Sequence, residues 1–343
     1  MLGCDLTKSA NACNFIIGGG RLMGRFIRKR LLTGLLTILL AFVLTFILTR
    51  MAPGNPIRVL AGTDNPNPDQ IAHLTKYYGL DQPLPVQFVN YLKGLFQGDF
   101  GYSYKSHRPV LDIITEKIGA TILLSLTASI LSVIIGTALG VFSGRRVNTM
   151  MDRFFSGISY LIDALPSFWL GMILIIIFSV RLRWFPTSGM YSIRNDHEGF
   201  AKILDLIRHM VLPIATIVII QVPYFFRIAR SSVINVLKED FIMTFRATGM
   251  PEHKIFRKYV LRNAIIPVIT TFSLSIAFIL SGVALIEIVF AWPGMGRVIM
   301  DAVTARDHAV LSGVYLMLSI SVALVMIITD LIYAFVDPRI RLE

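Results

Sequence analysis

The chain has 343 residues, 55% of them hydrophobic and only 16% charged, with a formal net charge of +12. A soluble domain carries about 25% charged residues, so the composition excludes a large polar-surfaced enzyme and points to an integral membrane protein. Two cysteines and six scattered histidines give neither a disulfide framework nor a metal-ligating pair. No basic stripe is interleaved with aromatics, so the positive charge does not call for nucleic acid.

Residues 1–22 lack the charged lead and apolar stretch of a signal peptide. The expectation is that Met23 is the natural start, that 1–22 is an extension outside the fold, and that 23–343 forms one transmembrane domain. A bilayer core roughly 30 Å thick needs about 20 apolar residues in a helix. Six segments meet that need: 31–49, 119–143, 154–180, 210–226, 265–291 and 309–336. None alternates apolar and polar as barrel strands do. The predicted fold is therefore all-α with six transmembrane helices. Lys and Arg cluster beside the spans on the side of both termini, most clearly in RFIRKR before the first span. This places the N- and C-termini in the cytoplasm.

Between helices 1 and 2, residues 50–118 form an extracytoplasmic cap. It contains PGNP, a helix-like stretch over 69–78, and an amphipathic helix whose apolar face carries Phe88, Leu92, Leu95 and Phe96. Segments 181–208 and 292–308 form two further outer loops. Pro166, Pro213, Pro223 and Pro267 fall inside spans, where each removes a backbone donor and bends a helix.

Three acids, Asp163, Glu287 and Asp330, lie in predicted spans. A carboxylate in hydrocarbon costs several kcal/mol unless paired or wetted, which makes such residues functional candidates. Asp163, Ser281 and Glu287 are candidates for a translocation path. The competing readings are a structural hydrogen bond for Asp163, an anchor for the following loop for Glu287, and close helix packing for Ser281. No GxGD motif follows Asp163 or Asp330, which argues against an intramembrane aspartyl protease. GxxxxGK[ST], GxSxG and HExxH are absent as well, so the sequence offers no phosphate cradle, no hydrolase nucleophile and no zinc site.

The cytoplasmic loop 227–264, between helices 4 and 5, contains EDFIMTFRATGMPEHKIF. Ile234, Leu237, Phe241, Phe245 and Thr248 recur at the spacing of one helical face. Gly249 ends that helix and Pro251 starts the next. The loop is thus a helix–Gly–helix elbow with an apolar face, which requires either a protein partner or a membrane surface to lie on.

This elbow resembles the EAA loop of binding-protein-dependent ABC importer permeases, in its dipeptide, oligopeptide and nickel version. PGNP, YGLDQPL, GDFGYSY, RPVLDII, LPSFWLG, FAWPGMGR and the terminal DPRIRL match in family order. The resemblance implies a bacterial or archaeal inner-membrane permease, and a coupling helix that includes Glu239, Asp240, Phe241, Thr244, Phe245, Arg246, Ala247 and Gly249. It implies as partners a second homologous permease, two ABC ATPases that hold ATP and Mg, an extracytoplasmic solute-binding protein and membrane lipid. It implies no catalytic residue, cofactor or metal on this chain. Short peptides are the implied cargo, with nickel or a metal–chelator complex as the alternative. An ion-coupled secondary transporter or channel is the alternative of another class. The chain departs from the family pattern at Phe245, where a small residue is usual, and at Met243. Phe245 is therefore expected to press a larger side chain into the partner's groove.

Overall fold

The computed structural model describes residues 31–47, 81–192, 198–277 and 283–336, besides Arg28, Ala72, Thr75, Lys76 and Gly79. The extension 1–22, PGNP, most of 69–78, Ser281 and the terminal DPRIRL lie outside the described residues, as does the side chain of Asp330. The described residues form helices and connections, with no strand beyond an isolated bridge between Tyr102 and Pro109.

Helix α1 (Leu31–Ile47) turns Leu35, Leu36, Leu39, Leu40 and Leu44 outward. Its inner side buries Phe42 and Phe46 against Phe88 and Tyr91 of α2 (Leu84–Phe96), with ring centroids 5.1 to 6.4 Å apart. The short helix expected within 50–118 is therefore present. Phe96, expected on its apolar face, is instead 84% exposed.

Helices α3 (Val110–Arg145) and α6 (Phe200–Leu237) are the axis of the molecule. At 36 and 38 residues they outrun the predicted spans, α3 mainly at its N-terminal end and α6 at both ends. Gly136, Gly140 and Gly144 share one face of α3 and meet α6 backbone to backbone. A Cβ on Gly140 would fall 2.5 Å from the Phe226 carbonyl oxygen, and one on Gly136 would fall 2.8 Å from that of Val222. Small residues spaced by four allow this approach in membranes, where dispersion contacts replace the hydrophobic drive.

The expected single span over 154–180 is instead two helices. Helix α4 (Met150–Asp163) and α5 (Ser167–Leu174), which runs on as a π-turn over Ile175–Arg181, are bent by 101° at Pro166. Pro166 sits just ahead of α5 with an extended ψ of 133°. Its ring excludes the carbonyl four residues back and forces Leu165 out of the helical region. Neither arm alone matches a 30 Å core at 1.5 Å per residue.

The helix expected across 234–248 is also divided. Helix α6 ends at Leu237, and α7 (Asp240–Ala247) starts afresh after Lys238 and Glu239. Helix α8 (Glu252–Ile255) passes through a π-turn (Phe256–Val260) into α9 (Leu261–Ala277). The described part of the expected span 265–291 comprises the end of α9 and a separate short α10 (Ala284–Val289). Helices α11 (Met295–Ala305) and α12 (His308–Val336) complete the described residues.

Among the described residues, four helices are long and apolar enough to cross a membrane, and the bent α4–α5 pair makes a fifth if it counts as one span. With its outward-facing leucines and isoleucines, the chain is a multi-pass membrane protein.

Candidate coupling elbow and its supports

Ile242 of α7 is fully buried among Val233 of α6, Ile255 of α8, Val260 and Ala264. The elbow thus carries its own small core, and α7 is seated on the end of α6. The chain leaves α7 through a Schellman turn. Gly249, at φ +77°, donates its N–H to the Arg246 carbonyl (3.0 Å), and Met250 donates to that of Phe245 (3.1 Å). A Cβ at Gly249 would meet nothing within 4 Å, so dihedral angle rather than space demands glycine there. Arg246 Nε donates to Glu252 across the turn at 2.6 Å, and that carboxylate raises the guanidinium above its usual value. The Arg145 guanidinium lies 4.9 Å over the Phe256 ring, which ties the end of α3 to the same elbow.

Phe245 does not face outward. Its ring centroid is 4.2 Å from that of Tyr259, so the large side chain packs against the chain itself. The outward face of α7 presents Asp240, Phe241, Met243, Thr244 and Ala247, with Met243 73% exposed. Glu239, at the N-terminal end of α7, is also exposed. The expected single face through Ile234, Leu237, Phe241, Phe245 and Thr248 is therefore replaced. Ile242 and Phe245 turn inward, and Phe241 turns outward.

Above the elbow, α6 grips α4. Arg230 forms a two-pronged pair with Asp152 (2.6 and 2.8 Å), and Asp152 also accepts the Asn148 N–H at 3.0 Å. One turn earlier on α6, Arg227 pairs with Asp163 and donates to Ser159 at 3.3 Å. Asp163 is exposed, so its pair is screened by solvent. Sequence reasoning passed over Asp152 because it falls outside the predicted spans.

Glu287 is fully buried at the far end of the bundle. It accepts the Thr121 hydroxyl and the Gly296 N–H, both at 2.6 Å, while Thr121 accepts the Met295 N–H at 2.8 Å. Trp292 donates its ring N–H to the Ala120 carbonyl at 2.9 Å. FAWPGMGR therefore folds over the carboxylate, and a Cβ at Gly294 would fall 2.2 Å from it. Glu287 caps the first turn of α11, where the helix dipole favours negative charge. Nearby, Asp307 accepts from Ser103 (2.6 Å), the Lys105 N–H (3.2 Å) and the Val310 N–H (3.2 Å), joining the GYSY loop to the start of α12.

Comparison with known proteins bears on this arrangement. Residues 136–342 match the model of the family described as binding-protein-dependent transport system inner membrane component. The chain belongs to that family. Residues 23–127 match the companion model for the N-terminal part of such membrane components. The oligopeptide transport system permease protein AppB of Bacillus subtilis is 34% identical over 320 residues, covering 93% of this chain and all of the relative. The dipeptide transport system permease protein DppB of Escherichia coli is 34% identical over 308 residues, 85% of this chain and 91% of that one. The glutathione transport system permease protein GsiC of Salmonella typhimurium is 37% identical over 319 residues, 93% of this chain and 99% of that one. As a permease-family member, the chain is a membrane component of a transport system whose ATPase is a separate protein.

Proposed function

We propose that this chain is a permease subunit of an ATP-driven importer of short peptides, located in the bacterial or archaeal cytoplasmic membrane. The observation that carries this reading is the elbow. Helix α7 is seated on α6 and α8 by a shared core and the Arg246–Glu252 pair, with α3 tied to the same elbow through Arg145 and Phe256, yet it leaves Phe241 and Met243 exposed in a family that works with separate ATPases.

In this reading the chain has six spans with both termini in the cytoplasm. Leu31–Ile47 and the bent α4–α5 pair supply the two beyond α3, α6, α9 and α12. It assembles with a homologous permease, two ATPase subunits that hold ATP and Mg, and an extracytoplasmic solute-binding protein. Residues 239–249 seat in the ATPase. ATP-driven closure of the ATPase pair then moves α7 as a rigid body and exchanges inward for outward opening. The chain performs no covalent chemistry. Asp163 and Ser281 remain proposed path residues, and Glu287 shapes the far mouth by holding FAWPGMGR in place.

The relatives named above carry oligopeptide, dipeptide and glutathione in their names. We therefore prefer a peptide to nickel or a metal–chelator complex. The test is uptake of a labelled dipeptide into proteoliposomes containing the full complex, ATP and the binding protein. Gly249→Val is expected to abolish uptake while the chain still inserts. Uptake that persists without any ATPase subunit would instead establish the ion-coupled transporter or channel.

A further inference from the structure

At the end of the bundle opposite the elbow lies a cleft of about 380 Å³, within the range of small-molecule sites. The GYSY loop, the first turns of α3, and α11 form its walls. Ile113, Val298, Ala302 and Val310 give it an apolar floor. Asp307, buried beneath it, holds loop and helix together through the bonds to Ser103, Lys105 and Val310, so the cleft is pre-formed.

The rim carries both signs of charge. Glu116 is occupied by Arg108 and Lys117, each at 3.1 Å. The Lys105 ammonium and the Asp301 carboxylate are both exposed, and among the described residues neither has an ion-pair or hydrogen-bond partner. A site offering one free cation and one free anion over an apolar floor suits a ligand with two opposite charges joined by a short, partly apolar body. A short peptide with free termini has that chemistry, and an extended dipeptide places its ends roughly 7 Å apart. A simple anion would leave Asp301 unanswered. A protein surface would need on the order of 1,000 Å² of contact.

We propose that this cleft is a subsite for a zwitterionic short peptide, with the peptide ammonium at Asp301 and its carboxylate at Lys105. The proposal rests on the peptide-importer reading, which also places the cleft at the outer mouth. The subsite would hold the peptide briefly between its delivery and its entry to the path.

The test is saturation-transfer NMR on the assembled transporter in nanodiscs, without binding protein, using Ala-Ala, N-acetyl-Ala-Ala and Ala-Ala-amide. Wild type is expected to prefer Ala-Ala over either blocked form by about three- to fivefold, the scale of an exposed ion pair. Asp301→Asn should erase the preference over N-acetyl-Ala-Ala alone, and Lys105→Gln the preference over Ala-Ala-amide alone. Unchanged preferences in both variants would overturn the subsite. So would weaker docking of the binding protein with peptide discrimination intact, which would assign the rim to that protein. Parallel ATP-driven uptake of Ala-Ala separates the two levels. Uptake with indifferent variants removes only the subsite, whereas failure to import any peptide removes the reading beneath it.

Discussion

At the residue scale, the elbow separates exposed side chains, proposed to face the partner, from those that hold the fold. Met243 is exposed and Phe245 packs against Tyr259, so the two are expected to fail differently when changed. Met243→Asp should leave the melting temperature of the purified chain unchanged but reduce ATPase activity coupled to transport, measured in proteoliposomes. Phe245→Ala should lower thermal stability by about 1–2 kcal/mol, the cost of a partly buried ring, with coupling largely retained. Gly249 is open in space but left-handed in backbone. Gly249→Asn, which tolerates that region, should restore most of the uptake lost in Gly249→Val. The role of Gly249 was legible in the sequence because the signal is local: a helical run, a glycine, then a proline. The direction of Phe245 was not, because it depends on Tyr259, fourteen positions on and across a turn. The burial of Glu287 was hidden for the same reason, since its partners come from α3 and from a loop folding back. Glu287→Ala would leave the Gly296 N–H and Thr121 hydroxyl unsatisfied, at about 1–3 kcal/mol in stability. Glu287→Gln, retaining one acceptor, should cost less in the same unfolding assay.

At the element scale, the bend at Pro166 separates two attachments. Helix α4 is tied to α6 by Asp152–Arg230 and Asp163–Arg227. Helix α5 instead packs near the far mouth, where a Cβ on Gly171 would lie 3.2 Å from Phe290. The proline was visible in the sequence as a bending signal. The size of the bend was not, because it is set by these long-range attachments rather than by the proline alone. A double-mutant cycle on Asp152 and Arg230 is expected to give a coupling energy of about 2–3 kcal/mol, since Asp152 is buried while Arg230 is partly wet. A coupling near zero in chemical unfolding would mean that the pair only decorates the packing. The glycine seam between α3 and α6 was likewise present as a spacing of four in the sequence, but its meaning required knowing which helix faces it. Gly140→Leu should prevent that approach and destabilise the chain by 3 kcal/mol or more, roughly the upper range for overpacking. Gly157→Ala, with nothing within 4 Å of the added carbon, is the neutral comparison.

At the scale of the whole molecule, the all-α, lipid-embedded class follows from composition and span length, and the described helices agree with it. Lengths and breaks were less accessible. Helices α3 and α6 outrun their apolar cores because polar turns at each end continue the same backbone hydrogen-bonding. Topology can be checked directly with single cysteines introduced into a chain lacking Cys4 and Cys13. A cysteine at Met243 is expected to react with an impermeant thiol reagent only from the cytoplasmic side, and one at Phe96 only from outside. Labelling of both from one side would contradict the proposed orientation.

The unbroken length of α6 has a mechanical consequence. One end is clamped by the elbow, and the other is tied to the outer loop through Asp205, which accepts the Ser192 N–H and hydroxyl at 2.7 Å. A 38-residue helix is roughly 57 Å long. If it rocks about the stretch from Val222 to Val233, where the α3 seam presses against it, a tilt of about 5° carries the near tip about 1 Å and the far tip about 3–4 Å in opposite directions, by the same geometry. In the proposed orientation the helix then works as an uneven seesaw, so a small push beneath the membrane is felt as a larger and reversed displacement at the entrance above it.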